Sequence, residues 1–83
     1  MKKYTFYEWC ADDEGGTGVC LTNEYQPNLG GYKTFKIGEF DTVEELANVL
    51  LEEYPITKYP GTGYNDFQEA LEEAEELCDR IIF

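Results

Sequence analysis

The spacing of apolar residues changes once along this chain of 83 residues, and that change constrains the fold more than any other feature. Up to Phe40, aromatic and aliphatic residues alternate in short runs broken by glycine. After Asp41 they recur every three or four positions. A period of two belongs to strands and a period of 3.6 to helices, so the chain should run from sheet to helix.

Residues 3–10 read as a first strand, with Tyr4, Thr5, Phe6, Tyr7 and Trp9 as β-formers and aromatics on both faces. Residues 12–18, Asp-Asp-Glu-Gly-Gly-Thr-Gly, read as a turn in which glycine supplies positive φ. Residues 19–25 give a second strand with Val19, Leu21 and Tyr25 on one face, and the two should pair as an antiparallel hairpin. After a break at 26–31, Tyr32 to Phe40 predicts a third strand, with Phe35, Ile37 and Lys33 sharing a face. Asp41, with Glu44 three residues on, has capping-box spacing for a helix whose stripe is Val43, Leu46, Ala47, Leu50 and Leu51. Pro55 ends that helix by forcing Tyr54 out of helical geometry. An eleven-residue connection, 54–64, leads to Asn65 and Gln68, a second candidate cap pair. The final helix, 65–83, carries the stripe Phe67, Ala70, Leu71, Ala74, Leu77, Cys78 and Ile81, and Ile82 and Phe83 either extend it or fold back. The expected fold is α+β in the order β-β-β-α-α: a three-stranded antiparallel sheet with two acidic amphipathic helices packed on one face. It is expected to form a single domain over 1–83.

Charge follows the same division. Residues 1–40 carry a net charge of −2, 41–54 carry −5, 55–64 carry +1 and 65–83 carry −6, for a total of −12. The last helix holds Asp66, Glu69, Glu72, Glu73, Glu75, Glu76 and Asp79 against one Arg80. These acids span about 20 Å of helix, roughly one charge per 3 Å, close to the spacing of about 3.4 Å along one nucleic-acid strand. Because the apolar stripes must be buried, the carboxylates should point outward. Such a surface suits a basic partner, and a chain this acidic should not bind nucleic acid or an anionic membrane directly. The candidate contacts are Asp66, Glu69, Glu72, Glu73, Glu76 and Asp79 on the second helix. Glu44, Glu45 and Glu52 on the first join them, with Tyr59 and Tyr64 in the connection as interface anchors.

Catalytic chemistry has little to stand on. The chain has no histidine, which removes the usual neutral-pH acid–base group and any triad built on it. Cys10, Cys20 and Cys78 do not have zinc-site spacing, and neighbouring carboxylates should raise rather than lower their pKa. Cys10 and Cys20 lie close enough in sequence to meet across the hairpin, although an odd cysteine count points to reduced thiols. Asp12-Asp13-Glu14-Gly15 lacks the alternating ligands of a calcium loop. Gly61-Thr62-Gly63 lacks the strand and lysine of a phosphate-binding loop. No metal, cofactor or catalytic group is expected. With no apolar run long enough for a leader or a membrane span, the expectation is a cytoplasmic protein whose oligomeric state stays open.

In size, charge, α/β layout and acidic runs such as residues 69–76, the chain resembles the small anti-CRISPR and anti-restriction proteins of phages and mobile elements. That resemblance implies a non-enzymatic inhibitor that mimics nucleic acid and occludes the basic surface of a nucleic-acid-handling protein, such as a CRISPR effector or restriction enzyme. Residues 4–6, the turn after them and residues 40–46 also loosely resemble the core of HicB-type antitoxins. This second likeness implies the alternative, a non-mimic adaptor or antitoxin-like module that binds through aromatic and apolar contacts.

Overall fold

A computed structural model describes residues 2–29 and 31–80. The element order is β1 (Tyr4–Cys10), β2 (Gly15–Leu21), a 3-10 turn (Thr22–Glu24), β3 (Asn28–Leu29), β4 (Tyr32–Phe40), α1 (Val43–Glu53) and α2 (Phe67–Asp79). This is the expected α+β arrangement: three long antiparallel strands followed by two helices. The two-residue β3 adds a short fourth strand, and the sheet order is β2-β1-β4-β3. The chain divides into two compact units, residues 1–41 and 42–83.

In the first unit, β1 is central. It pairs with β2 from Tyr4 opposite Leu21 to Cys10 opposite Gly15. The turn is therefore shorter than the glycine content suggests, covering only residues 11–14 and closed by the Ala11 N–H donating to the Glu14 carbonyl (2.8 Å). Residues 15–18 belong to the strand, and at Gly16 and Gly18 aromatic rings from β1 occupy the space a side chain would fill. A Cβ on Gly18 would lie 2.7 Å from Tyr7 Cζ, and one on Gly16 would lie 3.1 Å from Trp9 Cε2. An aromatic ring lying over a strand glycine covers backbone that would otherwise be exposed.

Between β1 and β4 the register shifts once. Phe6 faces Gly38 while the next residue, Tyr7, faces Lys36, leaving Ile37 as the extra residue of a β-bulge. Gly38 and Phe40 accordingly share a face with Tyr4 and Phe6, whereas Thr34 and Lys36 share the other with Tyr7 and Trp9. Phe6 and Phe40 are buried, and Tyr4 stacks on Phe40 with ring centroids 5.4 Å apart. Phe35 is 52% exposed, so it is not a core residue. It still shares a face with Lys33, as expected, but Ile37 leaves that face at the bulge. Tyr25 also departs from expectation. The 3-10 turn ends β2 at Leu21 and returns Tyr25 to the face of Tyr7, 6.0 Å away ring to ring, opposite the face of Val19. Buried Thr5 donates from its hydroxyl to Thr22 Oγ1 (3.0 Å).

In the second unit, α1 and α2 pack against each other. Leu46, Ala47 and Leu50 are buried on α1, and Ala70, Ala74 and Leu77 on α2, each set at helical spacing. Val43, Leu51, Leu71 and Cys78 are half-buried, while Phe67 at the start of its stripe is 37% exposed. Ile81 to Phe83, the expected helix extension or fold-back, lie outside the described residues.

Both caps fall one residue later than the spacing suggests. Thr42 caps α1, accepting from the Glu45 N–H at 3.2 Å, because Asp41 is already engaged with the Lys3 N–H (2.8 Å) and the Lys2 ammonium (3.7 Å). Asp66 caps α2, accepting from the Glu69 N–H (3.0 Å), and Glu69 Oε1 reaches back to the Asn65 N–H (2.7 Å).

Candidate functional site

The candidate surface is built from α1, α2 and the segment between them, all within the second unit. With 3.6 residues per turn, burying Ala70, Ala74 and Leu77 turns Glu69, Glu72, Glu75, Glu76 and Asp79 to solvent. From Glu69 to Asp79 the rise is about 15 Å, which keeps the charge spacing near that of a nucleic-acid strand.

The acids expected to act alike do different jobs. Asp66 and Glu69 hold the helix start through the bonds described above. Glu76 accepts from Arg80 at 2.8 Å in an exposed ion pair. Glu73 is half-buried at the border of the stripe beside Tyr64, where its charge, after burial, helps push the Tyr64 hydroxyl pKa above its usual value. Glu72, Glu75 and Asp79 are exposed and form no ion pair among the described residues. Glu75 was missing from the expected contacts, yet the helical angle puts it on the same exposed face as Glu72 and Asp79. On α1, Glu44, Glu52 and Glu53 are exposed, whereas Glu45 is half-buried. Asp79 closes α2 and Glu53 closes α1, and neither helix has a basic residue in its last turn.

The connection between the helices is a closed loop. The Tyr64 N–H donates to the Tyr54 carbonyl (2.8 Å) and the Ile56 N–H to the Tyr64 carbonyl (3.0 Å), so its two ends are joined. Gly63 is pressed onto this junction, where a Cβ would lie 2.6 Å from the Pro55 carbonyl carbon. Gly61 takes φ +92°, which only glycine adopts easily. Loops of this closed form are compact and frequently functional. Here the closure presents Tyr59, 39% exposed, against Tyr54 with ring centroids 5.6 Å apart, and Lys58 lies 5.7 Å over its ring. Tyr64 is half-buried, so of the two expected tyrosine anchors only Tyr59 is exposed.

Cys10, Cys20 and Cys78 are all free. Cys10 pairs with Gly15 and Cys20 with Thr5, five rungs apart and on opposite faces of the hairpin. Burial first and a nearby carboxylate second raise the thiol pKa of Cys20 (Glu24) and Cys78 (Asp79), which favours the unreactive thiol form. Among the described residues, no three His, Cys, Asp or Glu side chains gather into a metal site. No helix among them is long and apolar enough to cross a membrane.

Set against protein-family models, curated proteins and solved structures, the chain matches none. Its function is read from its own residues.

Proposed function

We propose that the protein is a non-enzymatic acidic inhibitor. In this reading the exposed carboxylates of α2, flanked by those of α1 and by Tyr59, occupy the basic nucleic-acid-binding surface of another protein and block access by mimicry. The observation that supports it is where the charge sits. Negative charge near a helix C-terminus opposes the macrodipole, and like charges four residues apart repel. Glu72 and Glu76 are such a pair, as are Glu75 and Asp79, and Asp79 ends the helix. Solubility requires acidic residues on the surface but not at positions that weaken the helix. Arg80 at the C-cap offsets Glu76 alone, leaving Glu72, Glu75 and Asp79 without an ion pair among the described residues, and local rules broken in this way are expected at functional sites. Arginine and lysine clusters that bind phosphates also pair with carboxylates. A CRISPR effector or restriction enzyme is the kind of target that the class resemblance suggests.

The test is competition. Proteins captured on the immobilised chain should be displaced by added duplex nucleic acid and by moderate salt. They should not be captured by a folded Glu72→Gln/Glu75→Gln/Asp79→Asn variant. Capture that survives both treatments, or that the variant retains, would favour the alternative module with aromatic and apolar contacts.

A further inference from the structure

The sheet of the first unit carries a second surface, remote in kind from the acidic helices. Strand alternation puts Tyr7 and Trp9 on one face of β1, and the pairing sets Gly18 and Gly16 opposite them on β2. With no side chains on those glycines, the two rings lie across β2. Tyr25 stands 6.0 Å from Tyr7, and Tyr32, 42% exposed, meets Trp9 edge-on at 5.2 Å. Four aromatic side chains thus stand together on one face.

Two adjoining hollows open between them. The first, about 250 Å³, is lined by Tyr7, Trp9, Tyr32 and Thr34. The second, about 220 Å³, includes Tyr7, Thr34, Tyr25 and Glu24 in its lining. Tyr7 lines both and forms the ridge between them. Each is smaller than a typical small-molecule pocket of roughly 300–1,000 Å³. Two shallow aromatic hollows in series fit a chain that crosses the face better than a ligand enclosed within it.

We propose that this face binds a proline-rich peptide in the polyproline II conformation, with basic residues flanking the prolines. Polyproline II has no internal hydrogen bonds, so its carbonyls need donors. Trp9 Nε1 and the hydroxyls of Tyr7, Tyr25 and Tyr32 donate to no described residue; those of Trp9 and Tyr7 lie over Gly16 and Gly18 of β2, and the side chains of all four residues line the hollows. Aromatic-lined grooves on small domains are a recurring way of holding such peptides, because little conformational entropy is lost on binding. The flanking charge follows from the acids at either end. Glu24 lines the second hollow, and Asp12, Asp13 and Glu14 form the turn just beyond Trp9 and Cys10. Lys36, 5.6 Å over the Tyr25 ring and 3.2 Å from Glu39, shows that a cation is accommodated on these rings. Single-stranded nucleic acid would also stack on aromatic rings, but a chain of charge −12 disfavours it.

Trp9 is the only tryptophan, so its fluorescence reports on the site directly. The probe is a synthetic PxxP peptide with arginine at both ends, titrated into the full chain with binding mapped by amide NMR. Saturable change at Trp9, with shifts at Tyr7, Tyr25 and Tyr32, is expected. Tyr32→Ala, checked for folding by circular dichroism, should weaken binding about tenfold or more, whereas Glu72→Gln/Glu75→Gln/Asp79→Asn should leave the shifts in place. The proposal is overturned if a peptide with alanine replacing proline binds equally. It is also overturned if shifts confined to α1 and α2 disappear in the neutralised variant, or if single-stranded RNA but not the peptide moves Trp9. Because the two surfaces share no residue, loss of one activity leaves the other measurable.

Discussion

Replacing Glu72, Glu75 and Asp79 by their amides should make the protein more stable. Two like-charge pairs at i,i+4, Glu72 with Glu76 and Glu75 with Asp79, are relieved, each worth about 0.2–0.5 kcal/mol at low salt. Removing the charge of Asp79, the last residue of α2, adds about 0.3–1 kcal/mol from the macrodipole. The capping bonds of Asp66 and Glu69 and the Glu76–Arg80 ion pair are untouched. The gain is therefore roughly 0.7–2 kcal/mol. In a domain of this size, 1 kcal/mol moves the melting temperature by about 4–8 °C. Thermal melts followed by circular dichroism at low ionic strength should show a rise of this order. In about 1 M salt, where the screening length falls to roughly 3 Å, the rise should largely vanish. A variant with an unchanged or lower melting temperature at low salt, or with a gain that salt does not reduce, would show that these charges are not in conflict with the helix. Their placement would then give no ground for assigning them to a partner.

Other consequences are more local. Asp66→Ala should cost about 1 kcal/mol in chemical denaturation, whereas Asn65→Ala, which keeps the backbone N–H bonded to Glu69, should cost little. Gly63→Ala should cost about 3 kcal/mol or prevent folding, because its Cβ meets the Pro55 backbone rather than a side chain that can move. Gly61→Ala, with open space and only a left-handed φ to strain it, should cost about 1–2 kcal/mol by the same measurement. Burial raises the hydroxyl pKa values of Tyr7 and Tyr64 above 10.0, so the folded state holds these protons more tightly than the unfolded chain. Their contribution is complete below about pH 10 and is lost as pH rises through the folded values. Tyr7→Phe/Tyr64→Phe should flatten the alkaline fall in stability, and an identical pH profile would contradict the shift.

The helices were legible because burial repeats locally: Leu46 and Leu50, or Ala70 and Ala74, announce their face by spacing alone. The caps were legible only to within one residue. Asp41 and Thr42 are both suitable caps, and the choice between them is made by Lys2 and Lys3, about forty positions away. The glycine-rich stretch shows the same limit more strongly. Gly16 and Gly18 have the composition of a turn, and only the rings of Trp9 and Tyr7 above them make a strand. The acidic face was readable as a face, but the different jobs of its members were not. That Glu69 bonds a backbone, Glu73 faces a tyrosine and Glu75 stands clear depends on angles and partners that composition does not contain.

The extra residue at Ile37 gives one strand two loyalties. Tyr32, Thr34 and Lys36 look toward the aromatic hollows, and Gly38 and Phe40 toward the stacked pair of Tyr4 and Phe40. Plain alternation would have put all five on one side. Removing Ile37 would thus do more than shorten β4. It would force a choice between seating Phe40 with Phe6 and keeping Tyr32 beside Trp9. The bulge separates the residues that must hold the sheet together from those that can vary with whatever the sheet meets.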